Sequence, residues 1–270
     1  MKTHVLYPLM FHPVYREAAW GGNEIARRYN RGGTPRPCAE SWELSAQAGV
    51  ETVVTNGPFE GISLAVIQKT FGEALLGAKA AGAAQFPLTV RLIDARERQP
   101  QVAHGAAGRR LWYVLSSNPG AQVWVGKPGT EALEAFDVAP GDLFELPADA
   151  TYAIGGGNLL FEVCQHGSLS SEPEVVRRLQ KPTTSHRDLH LRVATPSVTF
   201  ATLDLSHTRT LHTTAQSLMV LFCAVGKTTL SHNGPHPLTL LPGDLVLVPP
   251  QQAMLLHPLA PKTQLLVTTL

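Results

Sequence analysis

Short apolar segments, separated by turns rich in proline and glycine, dominate the chain from residue 86 onward. In residues 88–93 apolar and polar side chains alternate, which is the two-residue period of a strand with one buried face. Residues 111–115 are a continuous apolar run, typical of a strand that is buried on both faces. Residues 159–163, which are apolar except for Glu162, follow a glycine-rich turn. Residues 189–270 continue in this way without helical periodicity. The pattern therefore predicts a mainly β protein.

A helical period occurs before these strands. The apolar residues that recur at helical spacing are Leu64, Ile67, Phe71, Leu75 and Leu76. Ser63 precedes them and suits the N-cap position, because its hydroxyl can accept a hydrogen bond from the first helical turn. We therefore predict a small helical segment over residues 63–78. A second short helix is predicted within residues 128–137.

One local motif occurs twice. Residues 140–147 read Pro-Gly-Asp followed by apolar residues and a second proline, and residues 242–249 repeat that pattern. Physically this is a tight turn that leads into a short buried strand ending at another turn. Two copies predict two small β-barrel units, with residues 1–187 as an N-terminal domain and residues 188–270 as a smaller C-terminal one.

Composition narrows the classes of protein further. The 22 basic and 21 acidic residues give a formal net charge of +1, so nothing draws the chain toward nucleic acid or a membrane surface. No run of about 18 uncharged apolar residues suggests a membrane span. The three cysteines are far apart and form no Cys-x-x-Cys pair, which argues against a disulfide framework or a thiolate zinc site. We expect a cytoplasmic protein without a signal peptide.

Several longer motifs follow one another in a recognisable order. They are Phe-His-Pro-Val-Tyr-Arg-Glu-Ala-Ala-Trp-Gly-Gly at residues 11–22, Glu-Ser-Trp-Glu-Leu-Ser at 40–45, the strand at 86–95, Leu-Trp-Tyr-Val-Leu at 111–115, and the first Pro-Gly-Asp unit, which continues to residue 155. Over roughly residues 6–165 this order closely resembles type I phosphomannose isomerases, especially their short bacterial form. The resemblance implies a cupin-type fold with two jelly-roll β-barrel units and a small helical part.

The resemblance also implies an activity, because this family interconverts mannose 6-phosphate and fructose 6-phosphate with the help of a zinc ion. Its zinc ligands are a Gln and a His two residues apart, a Glu just before the Trp-Tyr-Val strand, and a His after the Pro-Gly-Asp turn. Without gaps these positions fall on Val102, His104, Arg110 and Tyr152. Of these four positions, only that of His104 then keeps the family's zinc ligand. A shift of the alignment by one residue would place Gln101 at the position of the family's Gln.

Arg110 is worse than a missing ligand, because a guanidinium repels a metal cation and does not deprotonate. We therefore expect an isomerase-like protein of carbohydrate metabolism that has lost its zinc and its activity, and that binds a sugar phosphate or related anion in the same pocket. The alternative is an active isomerase that holds zinc with other ligands. Metal-free acid–base chemistry through His104 or Tyr152 is a third, weaker option.

Further residues are candidates for contact with the substrate. They are Gln101, Glu43, Ser45 and Trp20, although a buried tryptophan more often fills a core. No nucleic acid or membrane partner is expected, and the sequence reveals neither a partner protein nor the oligomeric state.

Overall fold

A computed structural model describes residues 5–29, 31, 33–100, 108–126, 132–148, 150–167, 177–186, 188–195, 197–234 and 236–270. Contacts divide the chain into two compact units. We call them the central unit (Pro13–Ser45 and Phe86–Lys181) and the terminal unit (Met1–His12, Ala46–Gln85 and Pro182–Leu270). Within the described ranges, no helix has the length and apolar character needed to cross a membrane.

The secondary structure is mostly β, as predicted. The strands in chain order are β1 (Leu9–His12), β2 (Val14–Arg16), β3 (Glu40–Leu44), β4 (Val53–Val54), β5 (Leu88–Ala95), β6 (Arg110–Ser117), β7 (Gln122–Gly126), β8 (Leu133–Asp137), β9 (Leu143–Leu146), β10 (Tyr152–Ile154), β11 (Asn158–Gln165), β12 (Arg177–Leu179), β13 (Thr184–His186), β14 (Leu189–Ala194), β15 (Thr199–Asp204), β16 (Arg209–His212), β17 (Met219–Val225), β18 (Thr228–Ser231), β19 (Leu238–Leu240), β20 (Leu245–Val248), β21 (Ala253–Pro258) and β22 (Gln264–Thr269). The helices are α1 (Glu24–Tyr29), α2 (Leu64–Phe71) and α3 (Glu73–Leu76), and short 3-10 turns occupy Gly57–Phe59 and Ala78–Ala80.

The central unit contains two antiparallel sheets. One has the strand order β12-β9-β6-β11-β5-β3-β2, and the other has the order β10-β7-β8. Apolar side chains from both sheets form one core cluster, in which Trp112 and Phe144 of the larger sheet meet Val123 and Ile154 of the smaller one. Strands β5 and β11 are buried along their whole lengths, because they lie in the interior of the larger sheet and are covered on both faces.

The terminal unit has the same plan. Its larger sheet has the order β13-β14-β15-β22-β17-β20-β1-β4, and its smaller sheet has the order β16-β21-β18-β19. The core lies between them, with Leu221 and Val246 from the larger sheet and Leu230 and Met254 from the smaller one. In both units the described strands pair only within their own sheet. Each unit is thus an open two-sheet sandwich, and no closed barrel forms among the described residues.

The repeated Pro-Gly-Asp motif forms the same turn in both units, as predicted. Gly141 and Gly243 have φ angles of 91° and 93°, a conformation that favours glycine. The Asp142 carboxylate accepts a hydrogen bond from the backbone N–H of Ala139, and Asp244 accepts one from the N–H of Leu241. The turn then leads into β9 in one unit and β20 in the other. Each aspartate therefore closes its own turn and sets the direction of a buried strand.

The helical predictions have mixed outcomes. Ser63 caps α2, since its hydroxyl accepts a hydrogen bond from the backbone N–H of Val66. The predicted helix over residues 63–78 is broken at Gly72, where a φ of 48° ends α2 before α3 begins. The short helix predicted within residues 128–137 is wrong for its described part, because Leu133–Asp137 is strand β8 and pairs with β7. Helix α1 was not predicted.

The division into units differs from the predicted boundary at residue 187. Residues 1–12 and 46–85 group with the C-terminal part of the chain rather than with the central unit. The reason is a long-range pairing. The first half of β1 pairs antiparallel with β20, and its second half pairs antiparallel with β4. A local hydrophobic pattern contains no information about such a partner.

The N-terminus of α1 is held by a buried carboxylate. Asp94, at the end of β5, accepts a hydrogen bond from the backbone N–H of Ile25 at 3.0 Å, and its residue is only 2% exposed. Burial raises the pKa of Asp94 to about 6, although hydrogen bonds from the backbone of Ile25 and Glu24 act in the opposite direction. The carboxyl group is therefore partly protonated near pH 6.

We predict that Asp94→Asn removes one component of the pH dependence of stability. Because the folded pKa of Asp94 is raised, its contribution is complete below about pH 4 and is lost as the pH rises through about 6. The stability of the wild type relative to D94N should fall across this window by an amount on the order of 2–3 kcal/mol. Urea unfolding of both proteins at several pH values measures the difference. A constant difference from pH 4 to 7 would contradict the assignment.

Candidate active site

A buried carboxylate lies at the centre of the larger sheet of the central unit. Glu162 on β11 is directly opposite Arg91 on β5 and Trp112 on β6. Its Oε1 accepts a hydrogen bond from Arg91 Nε at 2.6 Å, and its Oε2 accepts one from Trp112 Nε1 at 2.7 Å. Arg110 Nε lies 3.8 Å from the same Oε2 atom. The cross-strand register thus assembles this cluster from three neighbouring strands.

Arg91 uses all three of its guanidinium nitrogens. Besides Glu162, its Nη1 donates to Glu40 Oε1 at 2.7 Å and its Nη2 donates to Tyr152 Oη at 3.2 Å. The guanidinium also lies 5.0 Å from the centre of the Trp42 ring, close enough for a cation–π interaction. Arg91 is therefore committed to its protein partners, and its position is well defined.

Arg110 has fewer partners. Its side chain is 4% exposed, yet its one hydrogen bond to a described residue is from Nη1 to the carbonyl of Ala148 at 3.5 Å. Its Nε makes no hydrogen bond there. The guanidinium lies 5.7 Å from the centre of the Tyr152 ring. Because a buried guanidinium without full hydrogen bonding is costly, Arg110 retains unused capacity to bind an anion.

Tyr152 on β10 brings the smaller sheet to this cluster. Its ring packs edge-on against Trp112, with centroids 4.7 Å apart and an interplanar angle of 87°. Burial and the charge of Glu162 raise the pKa of Tyr152 to about 12, although Arg91 and Arg110 oppose them. The phenol therefore keeps its proton at neutral pH. This makes Tyr152 a poor acid–base group, so the metal-free chemistry considered above gains no support.

The charge of Glu162 is stabilised strongly. Burial by itself would raise its pKa, but the neighbouring Arg91 and Arg110 outweigh burial and lower the pKa to about 2. Glu162 is thus a carboxylate at any ordinary pH. Its two oxygens are directed at Arg91 and Trp112, and so it is not available as a general base.

The zinc ion implied by the resemblance does not fit the described residues. Arg110 places a second guanidinium beside Glu162, and Tyr152 offers a neutral phenol where an imidazole is implied. No group of three or more His, Cys, Asp or Glu side chains within the described ranges could hold a metal ion. The donors that face this region are mainly cationic or already bonded, which suits an anion rather than Zn²⁺.

The remaining predicted site residues fall in different places. Gln101, Val102 and His104 lie outside the described residues. Glu43 is buried, and its Oε1 accepts hydrogen bonds from Ser41 Oγ and Arg31 Nη1, both at 2.6 Å. These contacts are structural ones. A role in substrate binding for any of these residues stays a prediction.

Two other residues predicted to contact the substrate are also buried or packed against the core. Ser45 is fully buried, and Trp20 is half-buried against the core cluster of the central unit. Trp20 therefore packs at the edge of this core, and a role for Ser45 or Trp20 in substrate binding stays a prediction.

Sequence reasoning did not recognise Glu162 as the centre of the cluster. A signal was present, because Glu162 is the one ionisable residue in the apolar strand formed by residues 159–163. An acidic residue in a strand buried on both faces needs a cationic partner. Arg91, the charged residue in the alternating pattern of β5, was therefore a candidate for the cationic partner of Glu162.

Comparisons with known proteins identify solved structures that have the same two-sheet β fold. The chain superposes on the crystal structure of mannose 6-phosphate isomerase from Bacillus subtilis with a TM-score of 0.82 and 17% sequence identity, covering 97% of this chain and 99% of that one. The chain therefore has the cupin-like β fold of these isomerases, as the motifs predicted. No protein-family model matches it.

Sequence relatives point to the same group of proteins. Mannose-6-phosphate isomerase ManA of B. subtilis is 27% identical over 190 residues, which are 59% of this chain and 58% of ManA. GmuF of the same organism, a "probable mannose-6-phosphate isomerase", is 25% identical over 229 residues, which are 75% of this chain and 71% of GmuF. This chain is thus similar to mannose-6-phosphate isomerases in sequence and in fold, and the resemblance inferred from its motifs is confirmed.

We predict that Glu162→Gln and Arg110→Met have very different effects on stability. Removing the charge of Glu162 leaves Arg110 without its counter-charge and Arg91 with Glu40 alone, which should cost about 3–5 kcal/mol. Arg110→Met leaves Glu162 paired with Arg91 and Trp112, and should change stability by no more than about 1 kcal/mol. Thermal and denaturant unfolding compare the two variants. Equal destabilisation would show that Arg110 is as important to the fold as Glu162.

Proposed function

We propose that this protein is a member of the mannose-6-phosphate isomerase group that no longer catalyses the zinc-dependent isomerisation, and that it binds a sugar phosphate or related small anion at Arg110. The observation that carries the proposal is the cluster of Arg110, Arg91 and Tyr152 around Glu162. In the ungapped alignment with the resembling family, Arg110 and Tyr152 fall on positions of zinc ligands.

The electrostatics of the cluster support the loss of the metal. A zinc ion at this place would lie beside two guanidinium groups, and its binding would have to displace the ion pair between Arg91 and Glu162. The loss of a buried pair of this kind costs several kcal/mol. The isomerisation in the family moves a proton between two carbon atoms of the sugar. Tyr152 keeps its proton at neutral pH, and Glu162 is a weakly basic carboxylate whose two oxygens already accept hydrogen bonds, so neither is suited to that transfer.

The unused donors of Arg110 support the binding of an anion. Planar guanidinium groups bind phosphate and carboxylate through two parallel hydrogen bonds. The Nε of Arg110, which lies 3.8 Å from Glu162 Oε2, makes no hydrogen bond to a described residue. In Arg91, by contrast, each of the three guanidinium nitrogens already donates a hydrogen bond. Of the two arginines in this cluster, Arg110 is therefore the one with hydrogen-bond donors left for an anionic group.

The second candidate is an active mannose-6-phosphate isomerase with a different ligand set. It is favoured by one specific observation, which is that relatives aligned over most of the chain carry this name. In that case the metal would be held by residues outside the described ranges, including His104 and Gln101. The two candidates differ in metal content and in turnover.

We predict no isomerase turnover with excess Zn²⁺, zinc content well below one ion per chain, and measurable binding of mannose 6-phosphate. Arg110→Met should weaken that binding by about tenfold or more, because one bidentate charged contact is lost. Arg27→Met is the matched control, since it removes a charge from an exposed side chain that pairs only with Glu24. A coupled assay, elemental analysis and titration calorimetry provide the three readouts.

Each readout of this experiment can overturn one part of the proposal. Turnover of about 1–1000 per second together with bound metal would establish the active isomerase instead. Absence of binding by the folded wild-type protein would reject the sugar phosphate as its ligand. Equal binding by R110M and R27M would remove Arg110 from the site.

We also predict that zinc binding returns when the three substituted ligand positions are changed to the family's residues. The variant combines Arg110→Glu, Tyr152→His and Val102→Gln, which with His104 supplies four ligands of the types that zinc accepts. The single variant Arg110→Glu is the control and should take up no zinc. Elemental analysis of both purified proteins measures the difference. A folded triple variant without zinc would show that the pocket has diverged beyond its ligands.

A further inference from the structure

The terminal unit contains a cavity that has no part in the cluster around Glu162. Its volume is about 550 Å³, and it lies where the segment around Tyr7, the turn at Gly57 and the loop between β18 and β19 meet. Ligand pockets in proteins commonly have volumes of about 300–1,000 Å³. The cavity is therefore large enough for a small organic molecule.

One wall of the cavity is rigid. The ring of Tyr7 is stacked on Phe59, with centroids 5.5 Å apart and an interplanar angle of 7°. Its hydroxyl donates to the carbonyl of Asn56 and accepts from the backbone N–H of Phe59. The side chain of Asn56 is bonded at both ends, to the carbonyl of Pro8 and to the N–H of Met10. This wall is thus formed before any ligand binds.

The glycine in this wall is required by a close approach. A Cβ atom at Gly57 would lie 2.8 Å from the hydroxyl and from the ring carbon that carries it in Tyr7. Any side chain there would push the tyrosine ring away from Phe59 or into the cavity. Gly57 therefore preserves both the stacked pair and the open space.

Other residues of the lining contribute polar groups. Asn233, His236 and Gln252 line the cavity with side chains that can donate or accept hydrogen bonds. His232 also lines it, and its Nδ1 accepts a hydrogen bond from the backbone N–H of Gly234 at 2.9 Å. Burial lowers the pKa of His232 more than the backbone of His236 raises it. The imidazole therefore stays neutral at neutral pH.

The described lining has no Asp, Glu, Lys or Arg. A charged ligand would lose its hydration without gaining a counter-charge. A sugar is also a poor match, because it carries many hydroxyls and the hydroxyl of Tyr7 and the amide of Asn56 are already bonded to the backbone. The remaining surface is apolar and includes Leu6, Pro58 and Leu238. Such a cavity suits a ring with apolar faces and only a few hydrogen-bonding atoms at its edge.

We infer that the terminal unit binds a small, uncharged heteroaromatic molecule in this cavity, with the edge of its ring toward Asn233, His236 and Gln252. The site lies wholly within the terminal unit, so it is independent of the function proposed for the central unit. Its ligand needs no phosphate and no metal.

Saturation-transfer NMR with adenine, nicotinamide and indole tests this inference on the full chain, with methyl α-mannopyranoside as the comparison. We expect transfer to at least one heteroaromatic ring and none to the sugar. Leu238→Trp, which fills the cavity, should weaken binding by about tenfold or more. Leu241→Trp is the matched control, because Leu241 is 48% exposed and is not part of the lining. Gln252→Leu is a second variant that leaves the core untouched.

The possible results either support or overturn the proposed site. Binding that is lost in L238W and weakened in Q252L but kept in L241W supports the site. Absence of transfer to all three rings, or equal binding by L238W and L241W, would overturn it. Binding of the mannoside in place of the heteroaromatic rings would show that the class of ligand is wrong.

Discussion

The ion pair between Glu162 and Arg91 is the interaction on which the central unit depends most. It lies between the middle strands of the larger sheet, where both side chains are largely buried, and the loss of either charge would leave the other poorly compensated. Trp112 satisfies the second oxygen of Glu162, and Tyr152 extends the hydrogen bonding to the smaller sheet through Arg91. The same four side chains therefore hold the two sheets in register and determine the charge of the site.

Arg110 changes the character of that site. In a low-dielectric interior an acidic residue beside Glu162 would favour a bound cation, whereas a guanidinium favours an anion and cannot become neutral. The residue at the start of β6 thus has a large effect on which charge this region can accommodate. The overall fold is retained because the apolar core between the two sheets does not depend on the identity of residue 110.

The two units show how one local device can be reused with different partners. In each unit an aspartate closes a Pro-Gly-Asp turn, and the following strand enters the larger sheet beside a long central strand, which is β6 in one case and β17 in the other. The flanking strands differ, since β9 also pairs with β12, whereas β20 pairs with β1 from the start of the chain. Both units therefore share the turn and the strand that follows it, whereas their flanking strands differ.

The sequence by itself determined the features that depend on neighbouring residues. These are the strands with alternating or apolar patterns, the cap at Ser63, the two Pro-Gly-Asp turns and the resemblance to a family of isomerases, all of which follow from local periodicity, turn chemistry or motif order. The same reasoning also identified Arg110 and Tyr152 as unsuitable ligands. Only the tertiary structure decided that β1 belongs with the terminal unit and that Glu162 has Arg91 as its partner. Strand pairing across long separations is set by the packing of the whole core, and no local pattern along the chain specifies it.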